Sequence, residues 1–419
     1  MLEILRNAWK VEDLRKKILY TLFMLLIYRL VGVVPTPGVN VEVIQQAFSS
    51  NSLWGILSLM SGSSFNQFTI LAMGISPYIT ASIVIQLLTI VIPKLEELSK
   101  NGEEGRRKMT EYTRYATVVL AAIQAIGIII SLGAGAVNTP GFFTYLTIGI
   151  SMAAGTAFAM WVGERITENG IGNGISWLIF AGIVSSLPTQ FGNIFRNYVA
   201  NPTTIWTLPV LLISIFVLIV GIIFVDLGQR RIPVQYAKRV VGRRVYGGQA
   251  THLPIRVNSV GMLPLIFASS LIQFPLIIAS FWPTSRGYLW LSRVLTPTSA
   301  WYIILYALLI IAFAFFYSMI SFNPIEISKN LQENGGFIPG IRPGRPTSDY
   351  ITRSSTRLTA FSAVYLAVIA IIPTLLLTVT GSSSPFTAAG ILIAVSTSIE
   401  TTKQIESQLL MRHYKGFLH

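Results

Sequence analysis

The sequence predicts an all-α membrane protein of ten transmembrane helices, and three observations carry that prediction. The chain of 419 residues is 52% apolar and only 11% charged, with a mean hydropathy of +0.62, whereas soluble domains are about 25% charged. Its apolar residues gather in runs at about 18–34, 68–92, 115–132, 142–162, 175–187, 205–225, 260–281, 301–321, 358–379 and 386–402. Most approach the ~20 residues that a helix needs to cross the hydrocarbon layer. Lipid offers the backbone no hydrogen bonds, so a spanning segment is a helix or part of a closed barrel, and continuous runs without strand alternation select helices. The third observation is charge. Of 31 Lys and Arg residues, 27 fall in alternate connections, while the opposite set holds only Arg196, Arg286 and Arg293, and Arg29 lies inside the first run. That asymmetry predicts both termini in the cytoplasm.

The elements follow in order. Residues 1–17 mix Leu5, Trp9 and Val11 with Arg6, Lys10, Lys16 and Lys17, which suits a cytoplasmic interfacial helix or, equally, a solvated amphipathic one. The run at 18–34 has basic flanks but is longer than a signal-peptide core and lacks a small-residue cleavage site, so it reads as a retained span. Pro35-Thr-Pro-Gly38 ends it, because proline lacks the amide donor and disfavours helix at the preceding residue. Leu53, Trp54, Ile56, Leu57, Leu59 and Met60 form an apolar segment too short to span. It is either re-entrant, packed inside the bundle, or an interfacial helix under the outer leaflet. Gly170-Ile-Gly-Asn-Gly174 reads as a helix-breaking turn into the fifth run. The connections at 228–258 and 323–356 are far longer than a hairpin needs, and both lie on the basic side; they read first as ordinary basic loops that hold the orientation, although loops of that length are uncommon unless they have a task. Residues 404–419 form a cytoplasmic tail.

Composition also excludes chemistry. The net charge of +14 is dispersed among loops beside spans, so topology explains it before nucleic acid does. Cysteine is absent, and His252, His413 and His419 are too scattered to propose a metal site. No H-E-x-x-H or nucleotide-binding pattern occurs, so neither a catalytic site nor a cofactor is expected. Glu164, Asp226, Glu326 and Glu400 sit at the cytoplasmic limits of their runs, where snorkelling or capping accounts for them, in contrast to ion-coupled carriers that place ionisable groups near the midplane. Polar residues inside runs include Thr80, Gln86, Gln124 and Gln273. What remains is passage or gating through an apolar bundle. Ile75 and Ile79 flank Pro77 at helical spacing, and Ile179 and Ile183 repeat that spacing. Such residues usually face lipid or a neighbouring helix; the sharper reading is a hydrophobic constriction.

At Ala72-Met-Gly-Ile-Ser-Pro-Tyr-Ile-Thr-Ala-Ser-Ile-Val-Ile-Gln-Leu-Leu88 the sequence resembles the bacterial SecY family of protein-conducting channels. The resemblance continues through Glu103-Glu-Gly-Arg-Arg107, Glu111-Tyr-Thr-Arg-Tyr115, Gly170-Ile-Gly-Asn-Gly-Ile-Ser176, Gln229-Arg-Arg-Ile-Pro-Val-Gln-Tyr-Ala-Lys-Arg239, Gly242-Arg-Arg244, Thr251-His-Leu-Pro254 and Pro339-Gly-Ile-Arg-Pro-Gly344. It departs at Ser61-Gly-Ser-Ser-Phe65, where the family usually has Ser-Gly-Gly-Ala-Leu, and at Gly74-Ile-Ser-Pro77. The resemblance implies two pseudo-symmetric, inverted halves of five spans, at 18–190 and 191–403, around an hourglass pore. It implies a pore ring of Ile75, Ile79, Ile179, Ile183, Ile266 and Ile393, a plug at about 53–65, and a lateral gate lined by spans two, three, seven and eight, with Thr80, Gln86, Gln124 and Gln273 as polar gate candidates. It further implies docking of the ATPase SecA or the ribosome at Arg243, Arg244 and Arg342, small subunits SecE and SecG, and signal sequences, unfolded preproteins and membrane lipid as the molecules handled at the bacterial cytoplasmic membrane. The competing readings are a secondary carrier, opposed by the lack of midplane carboxylates, and an intramembrane enzyme, opposed by the missing catalytic groups.

Overall fold

The computed structural model describes residues 2–44, 68–132, 134–200, 207–236, 239–241, 244–246, 250–279, 281–282, 285–296, 299–380 and 388–415. The apolar segment 53–60 and Arg243 lie outside the described residues. The helices are α1 (Leu2–Lys10), α2 (Glu12–Val31), α3 (Ser76–Val91), α4 (Pro93–Lys100), α5 (Gly102–Leu132), α6 (Phe142–Asn169), α7 (Gly174–Ala200), α8 (Thr207–Leu227), α9 (Leu263–Ala279), α10 (Arg286–Val294), α11 (Ala300–Ser321), α12 (Pro324–Glu333), α13 (Arg345–Thr380) and α14 (Ala388–Lys415). Each of the ten apolar runs carries one of them: α2, α3, α5 to α9, α11, α13 and α14. Among the described residues, four helices reach across a membrane by length and composition, or five with the bent pair α3 and α4; the apolar parts of α7, α8 and α9 are shorter.

Local chemistry sets the ends of these helices. Glu12 and Asp13 open α2 and Arg29 lies in its last turn, complementing the helix dipole at both ends. Pro77 falls in the first turn of α3, with Ile75 as its N-cap residue. The proline therefore starts this helix and does not weaken its middle, because at that position its missing amide has no partner to lose. Residues 68–75 are turns, and Phe68, Leu71, Ala72 and Met73 are buried there. Ile92, held extended before Pro93, breaks α3 from α4 at 108°. The turn at 170–174 is built as the spacing predicts. Gly172 has φ +84°, and the Asn173 side chain accepts from the amides of Ile175 (3.0 Å) and Ser176 (3.4 Å) to open α7. Thr21 of α2 accepts from the Ile171 amide at 3.1 Å, fastening the turn to the first span.

The order of helix packing repeats with an offset of five spans. In the first half α2 packs on α6 and α7, α3 on α5, α5 on α6, and α6 on α7; in the second half α8 packs on α13 and α14, α9 on α11, α11 on α13, and α13 on α14. Five is odd, so each span and its counterpart run in opposite directions. This is the inverted repeat of membrane channels and carriers. The halves meet along two seams, α3 and α5 against α9, and α7 against α8 and α14.

The two long connections are not simple loops. Strands β1 (Gln229–Tyr236) and β4 (Ala250–Arg256) pair antiparallel from Gln229 opposite Arg256 to Gln235 opposite Ala250, and β5 (Gly336–Phe337) of the second connection joins β1. Between them β2 (Arg239–Val241) and β3 (Arg244–Tyr246) form a hairpin with Val241 opposite Arg244. Ile232, Val234 and Ile255 from one connection pack with Leu331, Ile338 and Ile351 from the other. The alternation Ile232, Val234, Tyr236 against Leu253, Ile255 is the period-2 signal of a half-buried strand. At the N-terminus, Ala8 of α1 is buried with Leu14, Ile171 and Ile405, so α1 is held by the bundle as well as by any interface.

Candidate conduction path and cytoplasmic face

All six isoleucines singled out in the sequence lie in one buried hydrophobic cluster. They come from the start of α3 (Ile75, Ile79), from α7 (Ile179, Ile183), from α9 (Ile266) and from α14 (Ile393), and their exposures run from 1% to 9%. Ile75 and Ile79 are joined by the first turn of α3, whose Ile79 amide donates to the Ile75 carbonyl at 3.1 Å. Both halves thus contribute to the same apolar centre.

Helix α9 occupies the seam. Every residue from Pro264 to Ser270 is buried, as expected of a helix enclosed on all sides and not lodged on a surface. Phe267 meets Phe313 and Tyr317 of α11 edge to face, with centroids 5.8 and 6.2 Å apart, which couples α9 to α11. Across the seam stand α3 and α5. The polar gate candidates are distributed along these helices and do not bond to one another among the described residues. Thr80 is buried and donates to the Ser76 carbonyl at 3.2 Å. Gln86 is half-buried and donates to Ser82 at 3.4 Å; Gln124 is buried in α5 and Gln273 half-buried in α9.

On the basic face, Arg342 is exposed in a turn closed by its own carbonyl, which accepts from Thr347 at 2.8 Å. Gly340 and Gly344 in the same turn have φ of +82° and +93°, backbone that residues with a Cβ rarely adopt. Arg244 opens β3. The connections carrying Arg244 and Arg342 are joined through the shared sheet. On the exposed start of α5, Lys108 donates to Glu104 at 3.0 Å and holds that carboxyl below its usual range.

Two polar ties escaped the sequence reading. Glu164 does not snorkel: it accepts two bonds from Arg114, at 2.9 and 2.7 Å, bridging α5 and α6. Asp226 at the end of α8 accepts from Asn258 at 2.8 Å and from Ser396 of α14. Asn258 in turn accepts from the Gly261 amide and from Ser362 of α13, each at 3.0 Å. Three spans of the second half and the segment entering α9 are thereby tied to one carboxylate. The only sequence signal for this is a carboxylate closing an otherwise apolar run, and its partners lie up to 170 residues away.

The chain matches the family model described as SecY over residues 69–402. It is 44% identical to the protein translocase subunit SecY of Streptomyces scabiei over 438 residues, covering all of both chains. Among solved structures, the one described as that of a protein conducting channel superposes with a TM-score of 0.66 at 17% identity, covering 94% of this chain and 92% of that one. Sec61 in the canine ribosome-channel complex gives a TM-score of 0.59 at 15% identity, again over 94% and 92%. At those identities the likeness is one of fold. The family rests on the match across most of the sequence and on the full-length relative, and both agree with the inverted five-span packing: this chain belongs to the SecY family.

Proposed function

We propose that the chain is the channel-forming subunit through which unfolded preproteins cross the bacterial cytoplasmic membrane, and from which apolar segments leave sideways into lipid. One observation carries the reading: the six isoleucines, drawn from four helices of both halves, share one buried apolar cluster. An apolar, deformable collar admits any side chain without requiring polar partners, and a narrow apolar constriction excludes ions by dewetting. Opening the α3/α5 seam against α9 and α11 would expose a passing signal sequence to lipid, where its own apolar transfer free energy draws it out. The segment at 53–65 would act as the plug on the outer side. No nucleotide-binding pattern occurs, so the driving energy comes from a partner. Arg243, Arg244 and Arg342 are assigned to docking of SecA or the ribosome, with SecE and SecG completing the complex; the ribosome-bound neighbour supports the ribosomal part.

Planar-bilayer conductance of the purified complex tests the reading. Replacing Ile79, Ile183 and Ile266 together with Ser should raise closed-channel ion conductance, because the dry collar is lost. Isoleucines serving only as core would instead lower thermal stability, by ~2 kcal/mol or more for each truncation. Variants that are destabilised yet ion-tight would refute the ring.

A further inference from the structure

The outward connections are nearly devoid of charge, yet two of their three cationic residues stand on one short helix, α10, between the seventh and eighth spans. Arg286, Leu289, Trp290 and Arg293 follow the i, i+3, i+4, i+7 spacing that places residues on one helical face. All four are exposed, Leu289 at 50% and Trp290 at 63%. The opposite face is the one that packs: Tyr288 and Leu291 line a cleft against α9, and Leu295, just beyond α10, is buried. Neither arginine makes an ion pair among the described residues. Two more exposed tryptophans, Trp282 and Trp301, flank the helix at the adjoining ends of α9 and α11.

An exposed face that alternates arginine with Leu and Trp is costly in bulk water and suits the boundary between headgroups and acyl chains. There apolar side chains enter the hydrocarbon, and indole rings sit at headgroup level. Guanidinium groups bind phosphate oxygens through paired, charge-assisted hydrogen bonds. We propose that this face of α10 is a docking site for outer-leaflet phospholipid, with Arg286 and Arg293 on phosphodiester headgroups and Leu289 and Trp290 in the acyl region. The site anchors the outer turn between α9 and α11, two of the helices assigned to the gate. The proposal rests on the orientation read from the charge asymmetry, which puts α10 outside.

The chain lacks cysteine, so a spin label on Leu289→Cys reports from one position. In proteoliposomes of phosphatidylglycerol and phosphatidylcholine, the label should collide with oxygen more than with a water-soluble nickel chelate, placing it below the phosphates. Arg286→Gln with Arg293→Gln should lower the phosphatidylglycerol that the purified complex retains at this face by roughly tenfold or more. The paired Arg→Lys variant should keep most of that lipid, which separates loss of charge from loss of fold. A label open to the nickel chelate, a label shielded from both reagents by another subunit, or unchanged lipid retention in the Gln variant would each overturn the site. If an impermeant thiol reagent reaches Leu289→Cys only from the cytoplasmic side, the orientation fails and the site with it.

Discussion

Gly155→Ala probes how the buried apolar centre proposed as the pore ring is held from behind. In α6 a Cβ at Gly155 would stand 2.1 Å from the Ile70 carbonyl oxygen and 2.7 Å from its carbon. Relieving that contact to the ordinary separation of ~3.5 Å needs a backbone displacement of roughly 1.4 Å. The atom that must yield is backbone, not a flexible side-chain tip, so the cost belongs at the upper end of overpacking, ~3 kcal/mol. The intrinsic preference of a helix for Ala over Gly offsets about 1 kcal/mol, leaving a net destabilisation of ~2 kcal/mol. The strain enters residues 68–75, which end at Ile75, so one member of the apolar centre is pushed out of register. Thermal unfolding of the purified complex should therefore show a lower midpoint than the parent, together with raised ion leak in planar bilayers. Gly221→Ala is the control, since a Cβ there meets nothing within 4 Å. A Gly155→Ala variant as stable and as ion-tight as Gly221→Ala would refute the packing of Ile70 on α6 and the link from α6 to the proposed pore ring.

Three further outcomes are expected. Single cysteines at Lys329 and Asn138, both exposed, should react with impermeant maleimide only from the cytoplasmic side and only from outside, respectively; reversed labelling would sink the orientation. Gly340 would be a poor labelling site in the same connection, because its φ of +82° strains any side chain. Glu at Arg243, Arg244 and Arg342 should impair SecA-driven translocation or ribosome binding at normal membrane levels; for Arg342, which is exposed, such a change moves stability by only about 0.5 kcal/mol, and loss of protein along with activity would remove the docking role. Asp226→Ala strips the acceptor from Asn258 and Ser396 and should destabilise the second half by on the order of 2 kcal/mol, with Asp226→Asn milder. Equal stability of Ala and parent would show the tie to be unimportant.

Some of this architecture is legible without coordinates because lipid is a demanding solvent. It requires long apolar helices, so each of the ten runs carries a helix even where that helix is short, as in α9. The turn at 170–174 is equally local: Gly172 and Asn173 carry the conformation and the cap within five residues. Motifs near Ile75 and Ile179 carry the family likeness, since spacing alone leaves an isoleucine in a membrane helix facing lipid or a neighbour. Other features belong to tertiary structure, because their partners are remote in sequence. Ile393 and Ile75 share a cluster across the two halves; β5 joins β1 from a connection some hundred residues later; and Asp226 depends on Asn258 and Ser396. Even Pro77, which lies well inside the second apolar run, falls in the first turn of its helix. Residues 68–75 leave the helical path there to pack on α6 at Gly155, and the absence of a Cβ at that glycine, two spans further along the chain, is what lets the two backbones meet.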